Sequence, residues 1–495
     1  MCRRAERRAE QPMDRITYRP SRRRVLATLA ALAYAGVRPF PAAAANSAGA
    51  SGTTGSRAPR RITDLIGTNG WPGSAADIAM WQKMGISWGR GSVGPGQPEA
   101  STQAMRVDKT GNAYDSDLPS VILRNNQNGI RSLLFLGYTP KWNASLPGDT
   151  KSAPQDVSAW ERYVEAVVRK YSAAPYGVRH FQIWNEAAGR LSGGLPQATF
   201  WHGPKFDKEE HRSRPYEQAM QDYVERIHIP AARIVRRYGA YVVYGGWPDQ
   251  GGLDTLDKWL DYRSPRLNAR MADWVDYLDT HYLSVSDLDG LYEKYVKQGP
   301  ARGVWQTEIG DRYMIDEHYL PRYFFEFAVW ALARNWDDPD KYVSMVYHWD
   351  GYEPFRLTHR GPPARTYNVS GQSLIVLNQT APGALAPLPQ PLQFGPQVSG
   401  SGLLSDKDIV IQVSAPSGWR TVQTSGIAPP SGGAQVLFVD ALTGSTAAKE
   451  DATLDWNNDG MSLRFRVPDN MNGADRKQPR HLAYLVVRAG QGKSA

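Results

Sequence analysis

Eight short β-rich runs, each followed by a longer stretch of helical periodicity, fill residues 62–361. That alternation restricts the segment to a parallel α/β architecture, because parallel strands need long crossovers and helices supply them. The runs read DLIGTN, ISWGRGS, RSLLFLGY, VRHFQIWN, AYVVYGG, WVDYLDTHY, GVWQTEIG and YVSMVYHW. Helical stretches lie between them at 157–171, 216–238 and 319–335. In the first of these, Trp160, Val164, Val167, Val168 and Tyr171 recur at three- and four-residue spacing, a single stripe facing a core. Eight strand–helix units in roughly 300 residues fit a closed (β/α)8 barrel. The rival, an open doubly wound sheet, lacks a G-x-G-x-x-G after its first strand.

The texture changes at both ends. GQSLIVLNQ reads as the eighth helix, and the proline-rich APGALAPLPQPLQFGP reads as a boundary. Beyond it, DIVIQVSA, WRTVQT, AQVLFVDALTG, MSLRFRV and HLAYLVVRA are short strands separated by turn residues, the pattern of a small antiparallel β-sandwich. Fourteen of the sixteen tryptophans precede residue 361, which sets the two parts apart. The expected layout is 1–45 a targeting segment, 46–61 a flexible linker, 62–384 the barrel and 385–495 the sandwich.

The formal net charge of +9 raises the question of nucleic acid, and its location answers it. Residues 1–45 hold ten arginines and three acids, a net of +7, so only +2 remains for the rest (9 − 7). The basicity therefore belongs to the targeting segment, and no nucleic-acid partner is expected. Ser21-Arg22-Arg23-Arg24, an apolar run through Val37 and the small-residue stretch PAAAAN form a secretory signal, and the paired arginines resemble the bacterial twin-arginine signal. An exported protein, periplasmic or secreted, is expected, with no membrane span. The single cysteine, Cys2, lies inside that segment, so the mature chain has no disulfide and no thiolate metal site.

Active-site side chains of such barrels sit at the carboxyl ends of the strands. Strand four ends in Trp184-Asn185-Glu186 and strand seven in Thr307-Glu308-Ile309-Gly310. A glutamate closing an apolar, aromatic-rich strand is costly unless it is hydrogen-bonded or functional. Glycosidic cleavage needs two carboxyl groups across one sugar, one to protonate the leaving oxygen and one to attack the anomeric carbon or activate water.

The Asn-Glu after strand four and the Thr-Glu-x-Gly after strand seven resemble clan A of the glycoside hydrolases, the retaining (β/α)8 enzymes, over residues 62–361. Further matches fall one per strand: Arg90 after strand two, GYTPKW with Trp142 after strand three, Gly245-Gly246 after strand five, His281-Tyr282 after strand six and Trp349 after strand eight. The style is closest to families 39 and 5. The resemblance implies that Glu186 is the acid/base and Glu308 the nucleophile. It also implies that Asn185 bonds the sugar 2-hydroxyl, that Arg90 and Tyr282 hold Glu308, and that Trp349 floors the reacting subsite. The clan commonly shows His-x-Tyr where this chain has His281 and Tyr282 adjacent. Neighbours on a strand point opposite ways, which leaves open which of the two faces the nucleophile.

The expected function is retaining hydrolysis of a β-linked oligo- or polysaccharide. Two other readings stand beside it. One is a non-catalytic carbohydrate-binding barrel; the other is an inverting hydrolase, distinguished by a wider carboxylate gap. Trp71, Trp142, Trp201, Trp247 and Trp349 fall at or after strand ends, where they either stack on sugar or fill the core. The charged stretch 202–215 is either a solvated loop or a wall of the cleft. Asp455-Trp-Asn457-Asn-Asp459-Gly460 mimics the start of a calcium loop, but Arg466 stands at its twelfth position, so a hairpin is the better reading. No HExxH, Walker loop or G-x-S-x-G occurs, and neither metal nor cofactor is expected in the chemistry.

Overall fold

Each of the eight expected runs contains a strand in the computed structural model. They are β1 (Gly67–Asn69), β2 (Trp88–Ser92), β3 (Arg131–Leu136), β4 (His180–Ile183), β5 (Tyr241–Val243), β6 (Tyr277–His281), β7 (Gly303–Glu308) and β8 (Ser344–Met345). They pair consecutively from β1 to β8, every pair parallel. The structure describes residues 60–93, 105–107, 113–115, 118–187, 201–202, 216–247, 253–310, 316–334, 344–345, 356–359, 365–406, 408–429, 433–447, 451–457, 460–468 and 480–489. All of these lie in one compact unit, Gly52–Ala495. Trp349, the stretch 203–215 and the targeting segment fall outside the described residues. None of the described helices is long and apolar enough to cross a membrane.

The barrel interior is layered by the two-residue strand period. At the bottom, Trp88, His180, Tyr277 and Trp305 pack ring against ring, with centroids 5.0–5.6 Å apart. Two residues further along the same strands stand Arg90, Gln182, Asp279 and Thr307, all buried. The aromatic plug thus closes the floor, and a polar layer rests on it below the carboxyl-terminal mouth.

The helices follow the apolar stripes. Val157–Ser172 buries Trp160, Tyr163, Val164, Val167, Val168 and Tyr171, and its N-cap Asp156 accepts from Ser158 N. The stretch expected as one helix at 216–238 is interrupted: Tyr216–Tyr223 and Ile229–Arg237 flank a π-helical turn at Val224–His228. Pro230 has no N–H to give to the preceding turn, and a wider turn accommodates that loss.

The C-terminal part is two antiparallel sheets, of five and four strands. Its strands begin inside the proline-rich stretch, with Leu385–Pro387 and Gln393–Phe394. Leu385–Pro387 is an edge strand, a place that tolerates a residue without an N–H. Ser399–Ser405 is a further strand the sequence pattern does not signal. Ala452–Asn457 and Gly460–Val467 pair with Asn457 opposite Gly460, the expected hairpin. The five-stranded sheet is buried on both faces. Ile409, Ile411 and Val413 fill the sandwich, while Leu403, Val410, Tyr484 and Val486 join the barrel's core. Helix Tyr319–Leu332 lies against that second face and is apolar nearly all round. Tyr484 contacts Phe325 at 5.7 Å, and Gln412 Nε2 donates to Pro321 O at 3.0 Å. Arg60 already belongs to the fold, its carbonyl accepting from Leu385 N at 2.8 Å.

Candidate active site

Glu186 and Glu308 meet at the mouth of the barrel, both more than nine-tenths buried. One oxygen of each and a ring nitrogen of His281 all lie within 4.8 Å of one another. Local backbone geometry brings them there. Trp184 and Glu186 take left-handed conformations (φ 66° and 46°), so the chain turns sharply around Asn185. Such conformations cost about 1–3 kcal/mol each in a residue with a side chain, and they cluster at functional sites. Gly245 makes room for this turn: a Cβ there would meet Ile183 O at 2.5 Å, while its own carbonyl accepts from Glu186 N at 2.6 Å. At β7 the ladder slips. Thr280 pairs with Gln306 and His281 with Glu308, leaving Thr307 as an extra residue. This bulge turns both Thr307 and Glu308 inward, as bulges beside active sites do.

Arg90 is the hub on the Glu308 side. Its Nη1 donates to Glu308 Oε1 at 2.7 Å and to Asn69 Oδ1 at 2.7 Å, Nη2 to Asn185 Oδ1 at 2.5 Å, and Nε to Gln182 Oε1 at 2.6 Å. A planar fork serves four acceptors at once, which an ammonium could not do. Asn69 ties the far side of the ring by donating to Thr307 O at 3.0 Å. Asn185 also hydrogen-bonds the Tyr138 hydroxyl, which burial holds well above the usual tyrosine range.

His281 and Tyr282 both face the carboxylates, contrary to simple strand alternation. Tyr282 adopts φ 59°, which breaks the alternation, and its hydroxyl donates to Glu308 Oε2 at 3.3 Å. His281 Nδ1 lies 2.8 Å from Glu186 Oε1 and 3.5 Å from Glu308 Oε2. Its Nε2 lies 3.0 Å from Thr307 Oγ1 and 3.4 Å from Asp279 Oδ2. Burial alone would push the imidazolium down, but Glu308, Asp279 and Glu186 outweigh it and hold the pKa at about 10. Glu186, His281 and Glu308 have the spacing of a metal site. Nδ1 is engaged with Glu186 Oε1 and Nε2 with Thr307 Oγ1. Gly246 (φ 81°) packs beneath the ring, where a Cβ would lie 2.3 Å from Nε2.

The remaining expected residues divide. Trp142 stands 36% exposed in a short turn after β3, among Thr139, Asn143, Pro154 and Trp160. Trp201 and Trp247 are fully buried core residues, and Trp201 meets Trp184 edge to face at 5.3 Å. Trp71 is half-buried over Gly89 and Gly91 beside Arg90, in space any side chain on either glycine would fill. The sequence reading singles out none of Gln182, Asp279, Thr307 and Asn69, although Asn69 closes β1. For Asp279 a signal exists, since an acid in mid-run of an apolar strand, two residues before His281, must share its face. On the Glu186 side, Lys151 is half-buried, its ammonium lowered by burial against the opposing pull of Asp149 and Glu186. His202 pairs with Asp149, and its N–H donates to Lys151 O at 3.0 Å, joining the segments after β3 and β4.

The fold is a (β/α)8 barrel, and solved structures of similar fold include glycoside hydrolases. A family 30 endoxylanase from Clostridium papyrosolvens aligns with TM-score 0.53 and 13% identity, over 87% of this chain and 97% of its own. The family 30 subfamily 8 xylanase Xyn30A of Clostridium acetobutylicum aligns with TM-score 0.52 and 12% identity, over 87% and 97%. A family 39 glycoside hydrolase from Bacteroides cellulosilyticus gives 0.49 and 12%, over 86% and 81%. No protein-family model matches the sequence, and no curated protein does either.

Proposed function

We propose that the protein is a retaining glycoside hydrolase that cleaves β-linked oligo- or polysaccharide by double displacement, after export of the chain. The observation that carries this reading is the approach of Glu186 and Glu308 to within 4.8 Å over a polar barrel mouth. Retaining enzymes hold their carboxyls about 5–5.5 Å apart, whereas inverting ones leave roughly 6.5–9.5 Å for a water molecule. The closeness supports direct attack.

In the first step a Glu308 oxygen attacks the anomeric carbon as the bond to the leaving oxygen breaks, and that oxygen takes the proton of Glu186. Arg90 and Tyr282 keep Glu308 ionised and aimed along one lone pair. In the second step Glu186 accepts a proton from water, the water oxygen bonds to the anomeric carbon, and the ester breaks to return Glu308 as carboxylate. Asn185, held by Arg90 and Tyr138, presents its amide to the sugar 2-hydroxyl. Trp142 and Trp349 are proposed to stack on sugar rings.

The test is a panel of aryl β-glycosides and β-linked polysaccharides, xylan included. Product configuration is followed by proton NMR, and the intermediate is trapped with a 2-deoxy-2-fluoro glycoside. The expected results are a product of retained configuration and a mass increment on the peptide carrying Glu308, lost in Glu308→Gln. Binding without hydrolysis, or an inverted product, overturns the proposal.

A further inference from the structure

His281 belongs to neither covalent step, yet it lies against both carboxylates. Its hydrogen bonds define its charge without reference to any titration. Thr307 Oγ1 has a single hydrogen, which goes to Asp279 Oδ2 at 2.6 Å. The hydroxyl can then only accept from His281 Nε2, which lies 3.0 Å away. On the other side, Nδ1 faces two carboxylates. An ionised carboxylate accepts and cannot donate. With the pair ionised, both ring nitrogens carry hydrogen.

Asp279 sits beneath this ring with no exposure. Its Oδ1 accepts from Thr307 N at 2.9 Å, and its Oδ2 accepts from Thr307 Oγ1 and from Gln182 Nε2, each at 2.6 Å. Gln182 in turn presents Oε1 to Arg90 Nε at 2.6 Å. One buried carboxylate therefore braces both cations that contact the nucleophile, Arg90 through Gln182 and His281 through Thr307. The charged and titratable groups around the ring are Glu186 after β4, Glu308 on β7, Asp279 on β6 itself and the Tyr282 hydroxyl. Arg90 lies beyond Glu308, Lys151 lies beyond Glu186, and β5 contributes only Gly246.

We propose that the His281 imidazolium follows the negative charge between the two carboxylates. Its Nδ1–H donates to Glu308 while Glu186 is protonated and to Glu186 while Glu308 is esterified, and Asp279 is the positioning residue that keeps the ring charged throughout. The two Nδ1 distances, 2.8 and 3.5 Å, differ by an amount that a small ring rotation exchanges. The device answers a need of double displacement, in which one carboxyl must be acid in the first step and base in the second. A donor that leaves Glu186 when it must hold a proton, and returns when it must accept one, favours each role in turn. No covalent bond to the ring forms or breaks.

The inference rests on the retaining reading, but its first test does not. In protein carrying 15N-histidine, with His281 assigned from the spectrum of His281→Asn, the wild-type ring is expected to stay protonated on both nitrogens through pH 8. In Asp279→Asn its pKa is expected to fall, with Glu308 and Glu186 still beside the ring. Thr307→Val supplies the same comparison should Asp279→Asn fail to fold. A neutral His281 at pH 7 in the wild type overturns the proposal whether or not the protein proves to be a glycosidase. So does an unchanged titration in the folded variant. The second test uses the 2-fluoroglycosyl enzyme, in which the ring is expected to remain doubly protonated with a shifted Nδ1 resonance. Loss of the proton on esterification refutes the charge-following step. In Asp279→Asn the alkaline limbs of glycosylation and deglycosylation are both expected to move to lower pH by one unit or more. Limbs that stay in place refute the role of Asp279. A chain with no turnover but a charged His281 would sink the proposed function and leave the hydrogen-bond assignment standing.

Discussion

Gly246→Ala tests how the end of β5 holds the active site. The added methyl would lie 2.3 Å from His281 Nε2, 2.4 Å from Cε1 and 2.9 Å from Cδ2. Ordinary contact begins at 3.4 Å, so the ring must retreat by 1.1 Å (3.4 − 2.3) or the glycine backbone must yield. The ring cannot retreat freely, because Nδ1 and Nε2 are both engaged. Misplacement by an ångström at a catalytic constellation costs about 10²-fold in rate, or about 2.7 kcal/mol of barrier. The φ of 81° adds about 1–2 kcal/mol of backbone strain for alanine. Gly239→Ala is the control, since its φ is 66° and nothing lies within 4 Å of the new methyl. Gly239→Ala is expected to lose only the backbone strain in urea unfolding and Gly246→Ala more, and only Gly246→Ala is expected to lose about 10²-fold in kcat. KM should barely change, because His281 bonds carboxylates and not sugar. Equal kcat in the two variants would refute the claim that Gly246 exists to seat the imidazole.

Three other perturbations discriminate further. Arg90→Lys replaces a fork serving four acceptors with one ammonium, and kcat is expected to fall about 10²–10³-fold, with a lower Tm from the buried acceptors left without a donor; activity within threefold of wild type counts against it. Stability is expected to peak near neutral pH in thermal melts. His180 and His228 are pushed by burial down to about 3 and about 4, so the unfolded chain binds their protons first and stability falls as pH drops below about 6.5. His281, held at about 10, contributes fully below about 6.5 and loses its contribution as pH rises toward 10, so a Tm that keeps climbing above pH 8 contradicts the assignment. Deleting 385–495 would strip Leu403, Val410, Tyr484 and Val486 from the core they share with the barrel, and an insoluble or unfolded product is expected. A soluble barrel with the parent melting temperature would show the sandwich to be a mere appendage.

The architecture is legible in the sequence because its signals are periodic and repeated. Each of the eight runs contains its strand, and the stripe from Trp160 to Tyr171 marks a buried helical face. What escapes is local and aperiodic. Ser399–Ser405 opens with alternating serine and glycine, poor strand formers, and is held between Leu385–Pro387 and the strong strand Asp408–Ala415. The edge strand Leu385–Pro387 is masked by its proline for the same reason that it sits at an edge.

The site divides along a similar line. Glu186, Glu308, Arg90 and Asn185 are found from strand ends because the fold dictates where reactive side chains emerge. Whether adjacent residues both point inward depends on backbone irregularities that no residue pattern encodes: the bulge at Thr307 and the left-handed turns at Glu186 and Tyr282. These irregularities are held in place by long-range partners. Gly245 receives the turn at Glu186, and Asp279 takes both the N–H and the hydroxyl of the bulged Thr307. Asp279 thus does two jobs with one carboxylate: it satisfies the backbone that turns Glu308 inward and it braces the ring between the two acids. Replacing it by a residue of equal size that cannot accept both hydrogens should therefore disturb the aim of Glu308 and the charge of His281 together, and a substitution that altered one without the other would show the two functions to be separable.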